Sequence, residues 1–167
     1  MNTCVNVKMK AAYIYDLLLF HVYSKFSGFL VNLLGLTVLI IGGLRLGKGD
    51  LTLLQASLYV IGGMFILAYT PFTLKRQAKR MMKNMKYENE LAYRFDHDGI
   101  HENLSGGKET CYAWEQIKKA IATPKTISFY ITETDALIIP KECFGDTFGP
   151  IMNLVIQHMT MDRIYIR

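Results

Sequence analysis

The stretch FSGFLVNLLGLTVLIIGGL, residues 26–44, holds nineteen residues and no charge. As a helix it reaches about 28 Å, close to the ~30 Å hydrocarbon core of a bilayer. A second uncharged stretch, LTLLQASLYVIGGMFILAYTPF (51–72), holds twenty-two residues. Only RLGKGD (45–50) lies between them. So short a link requires an antiparallel hairpin. A buried helix of a soluble protein seldom runs this far without a polar face. A cleaved leader fits worse: the stretch is too long, lacks a small-x-small cleavage signal and is followed by a second span. The sequence therefore predicts an integral protein with a two-span transmembrane hairpin at 26–72.

Charge gives the hairpin a direction. The chain of 167 residues carries a net charge of +5, but unevenly. LKRQAKRMMKNMK (74–86) contains Lys75, Arg76, Lys79, Arg80, Lys83 and Lys86 and no acid. Residues 87–167 hold eight basic and twelve acidic groups. A nucleic-acid-binding domain spreads positive charge over its folded surface, and here the folded part is acidic, so no nucleic-acid partner is expected. The short link carries Arg45 and Lys48, whereas the flanks carry nine cations, Lys8, Lys10 and Lys25 among them. Cytoplasmic flanks collect lysine and arginine. Both termini are predicted to be cytoplasmic.

On a helical wheel the six basic residues share one arc, opposite Leu74, Ala78, Met81, Met82 and Met85. That predicts a basic amphipathic helix that continues the span or lies on the inner leaflet. Its cations are candidate contacts for anionic lipid, at about 1 kcal/mol each. Upstream, AAYIYDLLLFHVYSK (11–25) reads as a juxtamembrane helix whose Tyr13, Tyr15, Phe20 and Tyr23 suit an interface. VNVKM (5–9) alternates like a strand.

From Glu88 the apolar period changes to two. ELAYRF, IHENL, TCYAW, IKKAIAT, ISFYIT and ALIIP read as six short strands joined by short links. DHDG (96–99) is turn chemistry, with Gly99 able to take a positive φ. Pro150 is placed to open a helix whose apolar face includes Ile151, Leu154, Val155 and His158, and RIYIR closes the chain as a strand. Tyr93, Phe95, Trp114, Ile117, Phe129 and Ile138 are the expected core. The predicted architecture is a membrane α-helical hairpin joined to an α+β domain, an antiparallel bent sheet closed by a C-terminal helix. Its parts are 1–25 (strand and juxtamembrane helix), 26–72 (hairpin), 73–87 (basic linker helix) and 88–167 (β domain).

The ordered set of two spans, LKRQAKR (74–80), YRFDHDGI (93–100), Trp114 and Ile117 in W-x-x-I, YIT (130–132), ALIIPK (136–141), a helix and an apolar C-terminal strand resembles the YcxB-like family of bacterial two-span membrane proteins. The resemblance runs nearly the whole chain. It implies location in the bacterial plasma membrane and a cytoplasmic domain of pleckstrin-homology (PH)-like shape, and it implies no catalytic residues. Gly149-Pro150 departs from the pattern and is expected to shorten the start of the helix.

Other motifs carry little chemistry. His97 and His101 are four apart, but Asp98-Gly99 makes a turn between them, so a zinc face is not produced. LSGG (104–107) has no phosphate loop to accompany it and reads as a hairpin turn. Cys4, Cys111 and Cys143 have no CxxC spacing, and the latter two read as small buried hydrophobes. Asp16 and His21 suit interfacial solvation better than a proton relay. No metal or cofactor is expected.

In the spans, Gly28, Gly35 and Gly42 recur every seven residues, with Asn32 on the same side. Centring the hairpin on Gly47-Lys48 sets Asn32 level with Gly63, so that Gly62, Gly63 and this stripe bring the helices close. The expected function is a non-catalytic binding or regulatory module held at the inner leaflet, with the bilayer, its anionic lipids and an unknown protein as partners. The alternative is an oligomer of hairpins, a second copy being the partner, with a transport- or immunity-type role.

Overall fold

The computed structural model describes residues 3–83, 90–104, 109–133 and 135–166. They form β1 (Thr3–Val7), α1 (Ala11–Tyr23), α2 (Phe26–Gly47), α3 (Leu53–Met81), β2 (Leu91–Phe95), β3 (Gly99–Leu104), β4 (Glu109–Ala113), β5 (Lys119–Ala122), β6 (Thr126–Tyr130), β7 (Ala136–Pro140), α4 (Phe148–His158) and β8 (Ile164–Tyr165). The chain divides into two compact units. One joins Met1–Leu17 to Ala78–Arg167, and the other is Leu18–Gln77.

The second unit is the hairpin. α2 and α3 are long and apolar enough to cross a membrane, and only 11% of the most apolar window of each is buried. Leu34, Ile40, Leu54, Val60 and Phe65 all face outward. A core helix of a soluble protein hides such residues, so this exposure argues against that reading. α2 ends where Gly49 takes a left-handed φ of 77°, and the Asp50 amide donates to the Arg45 carbonyl at 3.0 Å. α3 starts on a reciprocal cap: the Gln55 amide donates to Thr52 Oγ1 at 3.3 Å and the Thr52 amide donates to Gln55 Oε1 at 3.0 Å. Pro71 removes one helical donor, yet α3 runs through it to Met81.

The first unit is α+β, with two four-stranded sheets ordered β1-β2-β3-β4 and β7-β6-β5-β8. All pairs are antiparallel except β5 with β8, which is parallel. The six expected strands are present, but they do not make one continuous meander. A 3-10 turn at Trp114–Gln116 separates β4 from β5 and carries the chain from one sheet to the other. Trp114 sits in that turn and not in a strand. The N-terminal strand begins two residues earlier than VNVKM and pairs with β2 along all five residues, from Thr3↔Phe95 to Val7↔Leu91.

The sheets meet through Phe95 and Phe129, whose ring centres are 5.6 Å apart. All six expected core residues, Tyr93, Phe95, Trp114, Ile117, Phe129 and Ile138, are buried, as are Ile14 of α1 and Ile151 and Val155 of α4. α4 begins at Phe148, two residues before Pro150. Gly149-Pro150 therefore lies within its first turn and does not shorten it, since amides there need no helical acceptor.

Tyr13 corrects another expectation. It is buried in the folded unit, with its hydroxyl on Glu142 Oε1, where Lys10 Nζ also binds at 3.1 Å. Asp16 is neither a relay nor solvated alone. Its Oδ2 accepts the Thr123 hydroxyl at 2.5 Å and the Lys125 amide at 3.0 Å, fastening α1 to the β5–β6 turn. Cys111 is exposed and Cys143 half-buried, because Cys111 falls on the outer face of its strand. Residues 105–107 of LSGG lie outside the described residues.

Candidate functional site

The basic segment continues the second span, one of the two placements expected for it, and is not a separate helix. Lys75, Arg76, Lys79 and Arg80 belong to the last turns of α3, and Lys83 follows in a turn. All five are exposed. Lys86 and Met85 lie outside the described residues. Arg76 stacks its guanidinium 4.4 Å from the centre of the Phe72 ring, which keeps one cation at the apolar end of the segment. The opposite arc is occupied: Leu74 and Ala78 are buried, and Met81 and Met82 are half-buried. The face left to solvent is almost wholly cationic.

Inside the hairpin the glycines divide. A methyl group at Gly35 would lie 2.9 Å from Leu67, one at Gly42 2.5 Å from Tyr59, and one at Gly63 2.5 Å from Leu39 and 3.1 Å from the Gly35 carbonyl. These three allow close approach. Gly62 points into open space, and Gly28 instead abuts the Val22 carbonyl. Asn32 does not sit level with Gly63 and donates to the Gly28 carbonyl at 3.2 Å. The register differs because α2 continues through Gly47 and the connection is 48–52, not 45–50. Gly63→Leu is therefore expected to lower the thermal midpoint of the hairpin, and Gly62→Leu to leave it unchanged. Helix melting in micelles checks both.

The outer face of the first sheet carries a polar cluster that sequence periodicity did not reveal. Cross-strand pairing aligns Cys4, Arg94, His101 and Cys111 in one row. His101 Nε2 lies 2.9 Å from Asp96 Oδ2 and His101 Nδ1 3.3 Å from Glu109 Oε1. Arg94 Nη2 reaches the same Glu109 oxygen at 3.2 Å, while Arg94 Nε, 3.5 Å from Asp96, has no hydrogen-bonding geometry there. Cys111 Sγ is 3.6 Å from His101 Nε2. This has the outline of a thiol, base and carboxylate. Its electrostatics run the wrong way: burial first, then Asp96, Asp98 and Glu109, push the Cys111 thiol up, whereas a nucleophilic thiol needs a depressed value. His97 faces elsewhere, with Nδ1 3.3 Å from His158 Nε2.

Asp96 organises this end of the sheet. It accepts the Asp98 and Gly99 amides at 3.0 and 3.2 Å, and Gly99 takes its positive φ of 157° where a Cβ would strike the Tyr112 carbonyl. Burial raises the Asp96 carboxyl, but the two amides and His101 outweigh it and leave it below its ordinary value. A depressed carboxylate stabilises the fold above its unfolded pKa, about 3.9, and that contribution is lost as pH falls through the folded value. Asp96→Asn should flatten the acid limb of stability below about pH 4, as followed by equilibrium unfolding.

Most of this geometry, Cys4 and Arg94 apart, lies within a recognisable segment. Residues 95–150 match the family model described as YcxB-like protein. Over that segment the chain is similar to the YcxB-like family. The segment is about a third of the chain and runs from the end of β2 into the first turn of α4, wholly inside the folded unit. The matched segment contains Asp96, His101, Glu109, Cys111 and Trp114, and neither apolar helix. Comparison with curated proteins and with solved structures gave no match.

Proposed function

We propose that the chain is an integral membrane protein that holds a non-catalytic, PH-like binding or regulatory unit at the inner leaflet of the bacterial plasma membrane. The observation that carries this reading is the pairing of β1 with β2. Those strands lie on opposite sides of the hairpin in sequence, so two crossings must return the chain to the side it left. The excess of cations on both flanks points to the cytoplasmic side.

The basic end of α3 acts there by charge. Leu74 and Ala78 of its apolar arc are already buried and Met81 and Met82 half-buried, so insertion between lipid chains has less left to use. A peptide of residues 74–86 is expected to bind anionic vesicles and to release as salt rises, because the Debye length falls from about 10 Å at 0.1 M to about 3 Å at 1 M. Equal binding to neutral vesicles would remove the lipid role. Gly35, Gly42 and Gly63 meet neighbours within their own hairpin, which favours an anchor over hairpins assembled between copies.

Topology is the direct test. Cys4 is exposed and lies on β1. In intact cells an impermeant thiol reagent should spare Cys4 and label a cysteine introduced at Gly47. Labelling of Cys4 with position 47 protected would reverse the orientation. Crosslinking from native membranes would then identify the protein partner.

A further inference from the structure

α4 is apolar on more of its circumference than its place on the core requires. Ile151 and Val155 face the core, but Phe148, Met152 and Ile156 form a second stripe at i, i+4 and i+8. One amphipathic stripe is enough to seat a surface helix. Phe148 and Ile156 stay 42% and 51% exposed. The second stripe forms one wall of an open slot of about 430 Å³, within the size range of small-ligand sites. Buried Ile127 and Val155 make its floor, and Ile164 and Ile166 make the facing wall.

Among the described residues a single charged side chain lines this slot, Lys141. Its amide is fixed on the Lys125 carbonyl at 2.9 Å, which holds the residue at the end of β7. Among the described residues its ammonium forms no ion pair. The adjacent carboxylate, Glu142, is engaged by Lys10 and Tyr13 instead. The lining of an apolar slot thus includes one exposed cation.

We propose that this slot binds a fatty acid, with the alkyl chain between α4 and β8 and the carboxylate at Lys141. An uncharged lipid would leave the cation unused. The slot lies entirely within the folded unit, so the proposal stands apart from the topology reading and its failure would not touch that reading.

The test uses the full chain in phosphatidylcholine nanodiscs with a diazirine-bearing dodecanoate, adducts being located by mass spectrometry. Adducts are expected in residues 148–166. Unlabelled dodecanoate should suppress them at a concentration on the order of fivefold below dodecanol, the scale of one exposed charge pair. Met152→Trp should fill the slot and abolish the adducts, and Lys141→Glu should erase the preference for the acid. Thermal melts confirm that both variants fold, and Ile156→Glu at an exposed wall position replaces Met152→Trp if that variant does not. Adducts confined to α2 and α3 would overturn the proposal. So would equal suppression by dodecanol, which would mark the slot as an apolar protein contact.

Discussion

Deleting residues 1–9 is expected to unfold the unit formed by Met1–Leu17 and Ala78–Arg167. β1 is joined to β2 along its whole length, and it buries Val5 and Val7 almost completely, with Met9 just beyond it. Each such side chain contributes roughly 1.5–3 kcal/mol. Three of them approach the 5–15 kcal/mol that separates folded from unfolded states of a typical domain. The deletion also strips β2 of one of its two partners and leaves an open edge suited to aggregation. Denaturant titration of the full chain in micelles, read through Trp114 emission, checks this. An unchanged midpoint would show β1 to be dispensable and would remove the main support for both flanks lying on one side.

Trp114→Ala is expected to destabilise the same unit by about 3–5 kcal/mol. Trp114 is 4% exposed. Its indole N–H donates to the Asp96 carbonyl at 3.0 Å, and its ring stacks on His158 at 5.5 Å with 6° between planes. One side chain therefore links the β2–β3 turn, the turn between the sheets and the last residue of α4. Trp114→Phe retains most of the packing and loses the hydrogen bond, at about 1 kcal/mol. A urea series followed by circular dichroism separates the two variants. Equal losses for Ala and Phe would mean that the hydrogen bond, and not the packing, holds this junction. A wild-type emission maximum near that of indole in water would contradict burial itself.

Both experiments depend on contacts between distant parts of the chain, and that is where sequence and structure part. Local properties were readable in advance. An uncharged run of nineteen residues has few alternatives to a long apolar helix, and a period of two fixes which side chains a strand turns inward. Hence the existence of α2 and α3 and the burial of Tyr93 and Phe95 were legible, while Trp114 and Ile117 are buried in the turn between the sheets and Phe129 lies in a strand buried on both faces. The basic run was legible as an amphipathic helical end of the span, but not that Leu74 and Ala78 on its apolar arc are already buried.

Alternation says which face of a strand is buried and nothing about which strand lies beside it. The cost of closing a loop grows only with the logarithm of its length, so pairing β1 to β2 across the whole hairpin costs about 2–3 kcal/mol more than a local hairpin, which the burial of Val5 and Val7 offsets. Nothing local marks β8 as the parallel neighbour of β5, or Asp16 as the acceptor for Thr123 and Lys125. The glycine stripe announced close packing, but its register depended on a connection placed a few residues later than the glycines suggested. The row of Cys4, Arg94, His101 and Cys111, and the slot beneath Phe148 and Ile156, exist only because separate strands and a helix are brought together. Sequence by itself determined the elements and their buried faces. Tertiary structure decided which elements meet, because burial constrains each face locally whereas partner choice is settled only by the fit of all the faces at once.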